Sequence, residues 1–197
     1  MSRIIGCRDL HIAKLTKDEL GKDKPAYDTI TRVPSVINVS IKDNVETSSF
    51  YSDDTVEQAF NKVSGKEVEI ELGYLSTALE ALITGKTVNS DGVLEQKGDD
   101  AAAEVALLFR APKSKGGAFR YVCLYKGTLS NSDTTYETQE DKTSSATVKL
   151  TGTFIPLTCN GKFSAIADSD DTGLGEDVIS KWFTTVYGSE APAPTKQ

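Results

Sequence analysis

The residues that could carry chemistry are few. His11 is the single histidine among 197 residues, which removes most routes to a Ser/His/Asp triad, to imidazole acid–base catalysis and to the commoner zinc sites; a lone histidine near Asp9 could still act by itself, but a structural or exposed role is the expected one. Cys7, Cys123 and Cys159 are widely spaced and odd in number, so they give neither a disulfide framework nor a metal knuckle, and small buried hydrophobes is the reading they support. Three acidic groups, Asp53-Asp54, Asp99-Asp100 and Asp168-Ser169-Asp170-Asp171, offer oxygen ligands, yet none has the twelve-residue spacing and terminal glutamate of a calcium loop. They read as acidic turns at element ends. Gly116-Gly117 lacks the Lys-Ser/Thr sequel of a phosphate loop. A carboxylate pair for glycoside hydrolysis depends on spatial proximity, and nothing selects one pair from 29 acids. The expectation is a chain with no catalytic residues, no metal and no cofactor.

The elements that would hold such residues are mostly strands. Lys66-Glu67-Val68-Glu69-Ile70-Glu71-Leu72 alternates with the period of two that sends side chains to opposite sheet faces. Val68, Ile70 and Leu72 should meet a core, and Glu67, Glu69 and Glu71 should meet water or a cavity. Val148–Phe154 alternates likewise, and Ser35–Ile41, Glu104–Arg110, Phe119–Leu129 and Lys162–Ala167 are rich in β-branched and aromatic residues. Hairpins are expected at Gly116-Gly117 and at Asn160-Gly161.

Two segments carry helical spacing instead. Leu75, Ala78, Leu79, Leu82 and Ile83 share one face before a stop at Gly85. Val178, Ile179, Trp182, Phe183 and Val186 form a second stripe near the C-terminus. Residues 189–197, rich in Ala and Pro, hold too little apolar area to offset ordering entropy and read as a tail beyond one domain over 1–188. Two long polar insertions, Asp43–Gly65 and Ser130–Ser145, read as loops, and the first keeps Phe50, Tyr51, Val56, Phe60 and Val63 among its acids and serines.

With 29 acidic against 22 basic residues the formal charge is −7, a balance unsuited to gripping phosphates but compatible with a surface that DNA slides past. The start Met1–Gly6 has no signal-peptide apolar run, and no stretch approaches the ~18 apolar residues of a spanning helix. Synthesis in the cytoplasm without a membrane segment is the expectation.

The order of segments resembles a known family. Gly6-Cys7-Arg8-Asp9-Leu10-His11-Ile12-Ala13-Lys14-Leu15-Thr16, Tyr27-Asp28, the Ser35–Ile41 strand, Phe50-Tyr51-Ser52-Asp53-Asp54, the Glu67–Leu72 strand and Trp182-Phe183-Thr184-Thr185-Val186-Tyr187 together look like the major tail proteins of siphophages infecting Gram-positive bacteria. The likeness spans residues 3–188. Ser52 stands where that family often has alanine before the acidic pair, and no appended immunoglobulin-like domain is visible.

The resemblance implies a mainly β tail-tube fold, a β-sandwich or barrel with a flanking α-helix and a C-terminal helix. It also implies hexameric rings stacked into a virion tube through which DNA is ejected. Asp43–Gly65 then corresponds to the loop that reaches the neighbouring ring, making Phe50, Tyr51, Asp53, Asp54, Val56 and Phe60 inter-ring contacts. Asn38, Ser40, Lys42, Glu67, Glu69 and Glu71 would line the lumen. Partners would be further copies of the chain, tape-measure, tail-terminator and distal tail proteins, with DNA passing unbound. A tube protein of a contractile tail, tailocin or secretion machine shares this expectation. A carbohydrate- or receptor-binding β-sandwich using Phe50, Tyr51 and Tyr136 is a more distant reading.

Overall fold

The computed structural model describes the backbone of residues 2–52, 55–134 and 147–190, with side chains throughout except at 50–52, 55–58, 132–134 and 176. In chain order its elements are β1 (Arg8–Lys17), β2 (Ala26–Tyr27), β3 (Thr31–Val33), β4 (Val36–Ser52), β5 (Thr55–Leu72), α1 (Thr77–Thr84), β6 (Thr87–Val88), β7 (Leu94–Glu95), β8 (Glu104–Pro112), β9 (Phe119–Thr134), β10 (Val148–Ile155), β11 (Ser164–Asp168) and α2 (Glu176–Lys181). The main sheet runs β2-β1-β8-β9-β10-β5-β4, with β3 also on β1 and β11 also on β9. All its strand pairs are antiparallel.

Each face of this sheet carries its own core. On one face Leu10, Ile12, Val105, Leu107, Phe109, Val122 and Leu124 join Val68, Ile70, Leu72, Leu150 and Phe154 under Leu79 and Ile83 of α1. On the other, Ala13, Leu15, Ala106, Leu108, Tyr121, Cys123 and Tyr125 lie beneath Trp182 and Val186 of the C-terminal segment. With both faces covered, Val105 to Phe109 of β8 are buried without a break, the run expected of a doubly packed strand. The sheet also curls, because β1 and β4 come into contact and the Cys7 thiol approaches the Ile37 carbonyl at 3.9 Å.

Local chemistry sets the ends of α1. Ser76 caps its start, with Oγ accepting from the Leu79 N–H at 3.4 Å. Gly85 ends it at φ 77°, its N–H donating to the Ala81 carbonyl. A Cβ at Gly85 would also lie 2.0 Å from the Ala101 carbonyl oxygen, so conformation and space both demand glycine.

Several expectations are corrected. Asp43–Gly65 is not a loop: residues 43–52 and 55–65 belong to strands β4 and β5, paired from Asp43↔Lys66 to Ser52↔Thr55. Asn160-Gly161 does not join a hairpin, since β10 and β11 each pair with β9 rather than with one another. Its turn instead closes on itself, the Gly161 N–H donating to the Leu157 carbonyl at 2.9 Å. The second helical stripe is helix only to Lys181, and Trp182, Phe183 and Val186 pack from the turns after it. Of the insertion Ser130–Ser145, residues 130–134 extend β9, while 135–145, including Tyr136, lie outside the described residues. The 191–197 part of the tail lies outside them as well. Gly116-Gly117 does join a hairpin, between β8 and β9.

Candidate functional site

The face of the sheet that carries α2 and the C-terminal turns becomes polar beyond them, across four strands. Register places Asn38 opposite Glu71, Ser40 opposite Glu69 and Lys42 opposite Glu67. On the other flank of β5, Lys149 lies opposite Glu71, Thr151 opposite Glu69 and Thr153 opposite Glu67. Thr151 and Thr153 continue to Ser130 and Thr128 of β9. Directly opposed residues in an antiparallel pair share a face. The six residues singled out by sequence on β4 and β5 therefore form one surface, and β10 and β9 widen it. Beneath them Val68, Ile70 and Leu72 are buried.

Its charge is more balanced than three glutamates alone suggest. Lys42 and Lys149 stand across from Glu67 and Glu71, so β4, β5 and β10 contribute three acids and two bases to this face. Glu67 also accepts from Asn44 Nδ2 at 3.1 Å. Glu69, between Ser40 and Thr151, has no lysine directly opposite. Sequence reasoning passed over the β10 and β9 contribution, although Lys149, Thr151 and Thr153 alternate with Leu150, Gly152 and Phe154 as plainly as the β5 residues do.

Beyond this surface β4 and β5 leave the body as a two-stranded arm. Strand β10 accompanies β5 only to the Phe154↔Lys66 pair, whereas β4 and β5 stay paired to Ser52↔Thr55. From Val45 to Ser52 the arm spans about 25 Å at strand rise. Register shifts at Asn44/Val45 and Phe50/Tyr51 mark bulges, which bend a ribbon and increase its twist. The Ser64 hydroxyl donates to the Asn44 carbonyl at the first of them. Val45 and Phe60 are exposed, at 52% and 47%. Phe50 and Tyr51 lie on one strand of the arm and Val56 on the other, while Asp53 and Asp54, between them, lie outside the described residues.

The groups that might have done chemistry are used structurally. His11 Nδ1 sits 2.8 Å from the Asp9 carbonyl, a geometry that makes it the donor, and its ring stacks on Phe183 at 4.5 Å. Burial holds its pKa down, with Arg32 and Arg110 adding to that effect while the Asp9 carbonyl and carboxylate oppose it. The Asp9 carboxylate accepts from Arg110 Nε at 2.6 Å and from Arg32 at 3.3 Å. Cys123 is fully buried, while Cys7 and Cys159 are partly exposed, so the buried-hydrophobe expectation holds in full only for Cys123. Among the described residues no group of three His, Cys, Asp or Glu side chains could hold a metal ion. No helix among them is long and apolar enough to cross a membrane.

A mainly β body whose distinctive surfaces are a broad polar sheet face and a protruding ribbon defines a structural subunit, one whose surfaces suit contact with copies of itself. Residues 40–190 match the family model of the phage tail tube protein, and the chain belongs to that family. It is thus a self-assembling structural component of a phage tail. No curated relative matches the chain.

Proposed function

We propose that the chain is the major tail-tube subunit of a siphophage infecting Gram-positive bacteria, forming hexameric rings that stack into the conduit for genome ejection. The observation that carries this reading is the in-register polar surface of β4, β5, β10 and β9 on a sheet whose opposite face packs Val68, Ile70, Leu72, Leu150 and Phe154 into the core. A sheet face this broad, and covered by no helix among the described residues, suits a wetted lumen wall. Asn38, Ser40, Lys42, Glu67, Glu69 and Glu71 line it, joined by Lys149, Thr151 and Thr153. Short hydroxyl side chains and interleaved charges of both signs give passing phosphates no sustained cationic track, so DNA moves without specific binding.

The β4–β5 arm is the inter-ring contact. Phe50, Tyr51, Val56 and Phe60 belong to the two strands of this arm, apolar residue types suited to meeting a neighbouring ring, and Asp53 and Asp54, outside the described residues, are assigned to the same contact. Tape-measure, terminator and distal tail proteins complete the partners, and the assembled tube resides in the virion.

Negative-stain microscopy of the concentrated protein tests the assembly, with six-fold rings or tubes expected. Deleting Phe50–Phe60 should leave a folded body with an unchanged melting temperature but abolish stacking. Normal tubes from that variant would overturn the arm's role.

A further inference from the structure

Beyond the tube reading and independent of it, we infer that Arg8, Arg32 and Arg110 form a binding site for a doubly charged phosphate group, free or as a monoester. The chain has five arginines, Arg3, Arg8, Arg32, Arg110 and Arg120, and all of them gather at one end of strands β1, β8 and β9. Arg8 opens β1, Arg110 stands near the end of β8 and Arg120 near the start of β9. Arg32 of β3 lies opposite His11, and the Arg3 backbone bonds to Ser114 just past β8.

Arg8 and Arg110 are directly opposed across the β1–β8 ladder, so they are neighbours on one face. Like charges so placed weaken a sheet unless something offsets them. Asp9 does so in part, its Oδ2 accepting from Arg110 at 2.6 Å and its Oδ1 from Arg32 at 3.3 Å, which engages both of its oxygens. It sits at φ 52°, where the β1 register shifts between Arg8 and His11, and this bulge supplies the extra residue that ties Arg32 to Arg110. Arg8 has no ion pair among the described residues.

The charge that remains selects the ligand. His11 is held neutral near pH 7, chiefly by burial, so three guanidiniums against one carboxylate leave two positive charges. The adjoining network does not cancel them, because Lys113 and Arg120 face Asp168 and Asp170, two against two. In a chain of net charge −7 this is a local excess of the opposite sign. A guanidinium offers a planar fork of N–H donors that matches phosphate oxygens in pairs. The Arg32 and Arg110 side chains are 70% and 32% exposed, within reach of an ion from solvent, and Phe119 packs against the Arg110 guanidinium at 4.4 Å. A dianion neutralises both remaining charges, whereas a single carboxylate leaves one.

Thermal melts of the whole chain at constant ionic strength test the site. With inorganic phosphate in place of chloride, at about ten times its Kd, the melting temperature should rise by ~3 °C. Acetate should give no rise. Glycerol 3-phosphate separates the two sources: a rise with both phosphates assigns monoesters as well, a rise with inorganic phosphate alone assigns the free ion, and either supports the site. Arg8→Gln should melt at or above wild type in chloride, because it relieves the opposed pair, and should lose the phosphate response. Lys115→Gln removes an exposed cation at the same end but outside the cluster, and should keep it. The site is overturned by a wild type that responds no more to phosphate than to chloride, by an equal rise with acetate, by a response that survives Arg8→Gln, or by one lost equally in Lys115→Gln; none of these bears on whether the chain builds tubes.

Discussion

Gly127 lies directly opposite Phe154 across the β9–β10 ladder, and a Cβ added to it would sit 2.5 Å from the Phe154 ring. Phe154 is itself fully buried, so its ring has no exit and the missing methyl of Gly127 is what gives it space. Gly152, two positions away on β10, meets the Thr128 carbonyl in the same way, at 2.3 Å. Gly127→Ala should destabilise the fold by about 1–3 kcal/mol, the usual range for overpacking a tight core. Urea unfolding of Gly127→Ala, Phe154→Leu and their combination provides the check. If the clash is the cause, the double variant loses less than the sum of the two singles, because the smaller side chain yields space to the new methyl. Strict additivity would mean that the two residues do not share the site.

Among the elements, β11 is held to β9 by charge as well as by its ladder. Asp168 accepts from Arg120 through both oxygens, at 2.8 and 2.7 Å, with Lys113 3.3 Å away. Arg120 above all holds its pKa down to about 2, against an opposing burial effect, with Lys113 assisting. Since the folded-state pKa lies below the unfolded value of 3.8, the unfolded chain binds more protons between these limits. The contribution is therefore complete above pH ~4 and is lost as pH falls towards ~2. Hydrogen exchange at Ser164–Asp168 should accelerate over that interval relative to the β8 amides, and Asp168→Asn should make exchange in β11 fast at neutral pH and flat with acid. An unchanged rate ratio in wild type down to pH 2 would deny the latch.

How much of these elements the sequence discloses depends on what covers them. Strand β5 from Lys66 to Leu72 was legible because one face is wet and the other dry. Strand β1 was not, since Leu10, Ile12, Ala13 and Leu15 pack on both sides and burial of both faces erases the period of two. The arm escaped for the opposite reason. Solvent meets both faces of its described part, residues 45–49 and 59–63, and its Ser, Thr, Asn and Glu residues carry no alternation, so strands looked like a loop. Asn160-Gly161 has the composition of a tight hairpin, but whether β10 and β11 pair with each other or both with β9 is a tertiary choice that turn chemistry does not encode. The Glu67, Glu69 and Glu71 stripe was readable residue by residue. The cross-strand partners Lys42 and Lys149 that temper its charge needed the register.

That register changes how the whole tube should be probed. Reversing all three glutamates would set lysine against Lys42 and Lys149 in directly opposed pairs, and like charges there weaken the sheet itself. A loss of function could then mean damaged rings rather than an altered lumen. Glu69 avoids this, because its opposed neighbours are Ser40 and Thr151. Glu69→Lys shifts the face by two charge units per copy without creating an opposed lysine pair. If this face lines the conduit, tubes should assemble normally while DNA leaves more slowly, and the delay should shrink as salt rises and the screening length falls below ~10 Å. Ejection followed by dye binding to released DNA, at low and high ionic strength, measures it. Ejection at the wild-type rate in low salt from normally assembled Glu69→Lys tubes would move the polar face to the outside of the tube, where its charge is indifferent to the genome.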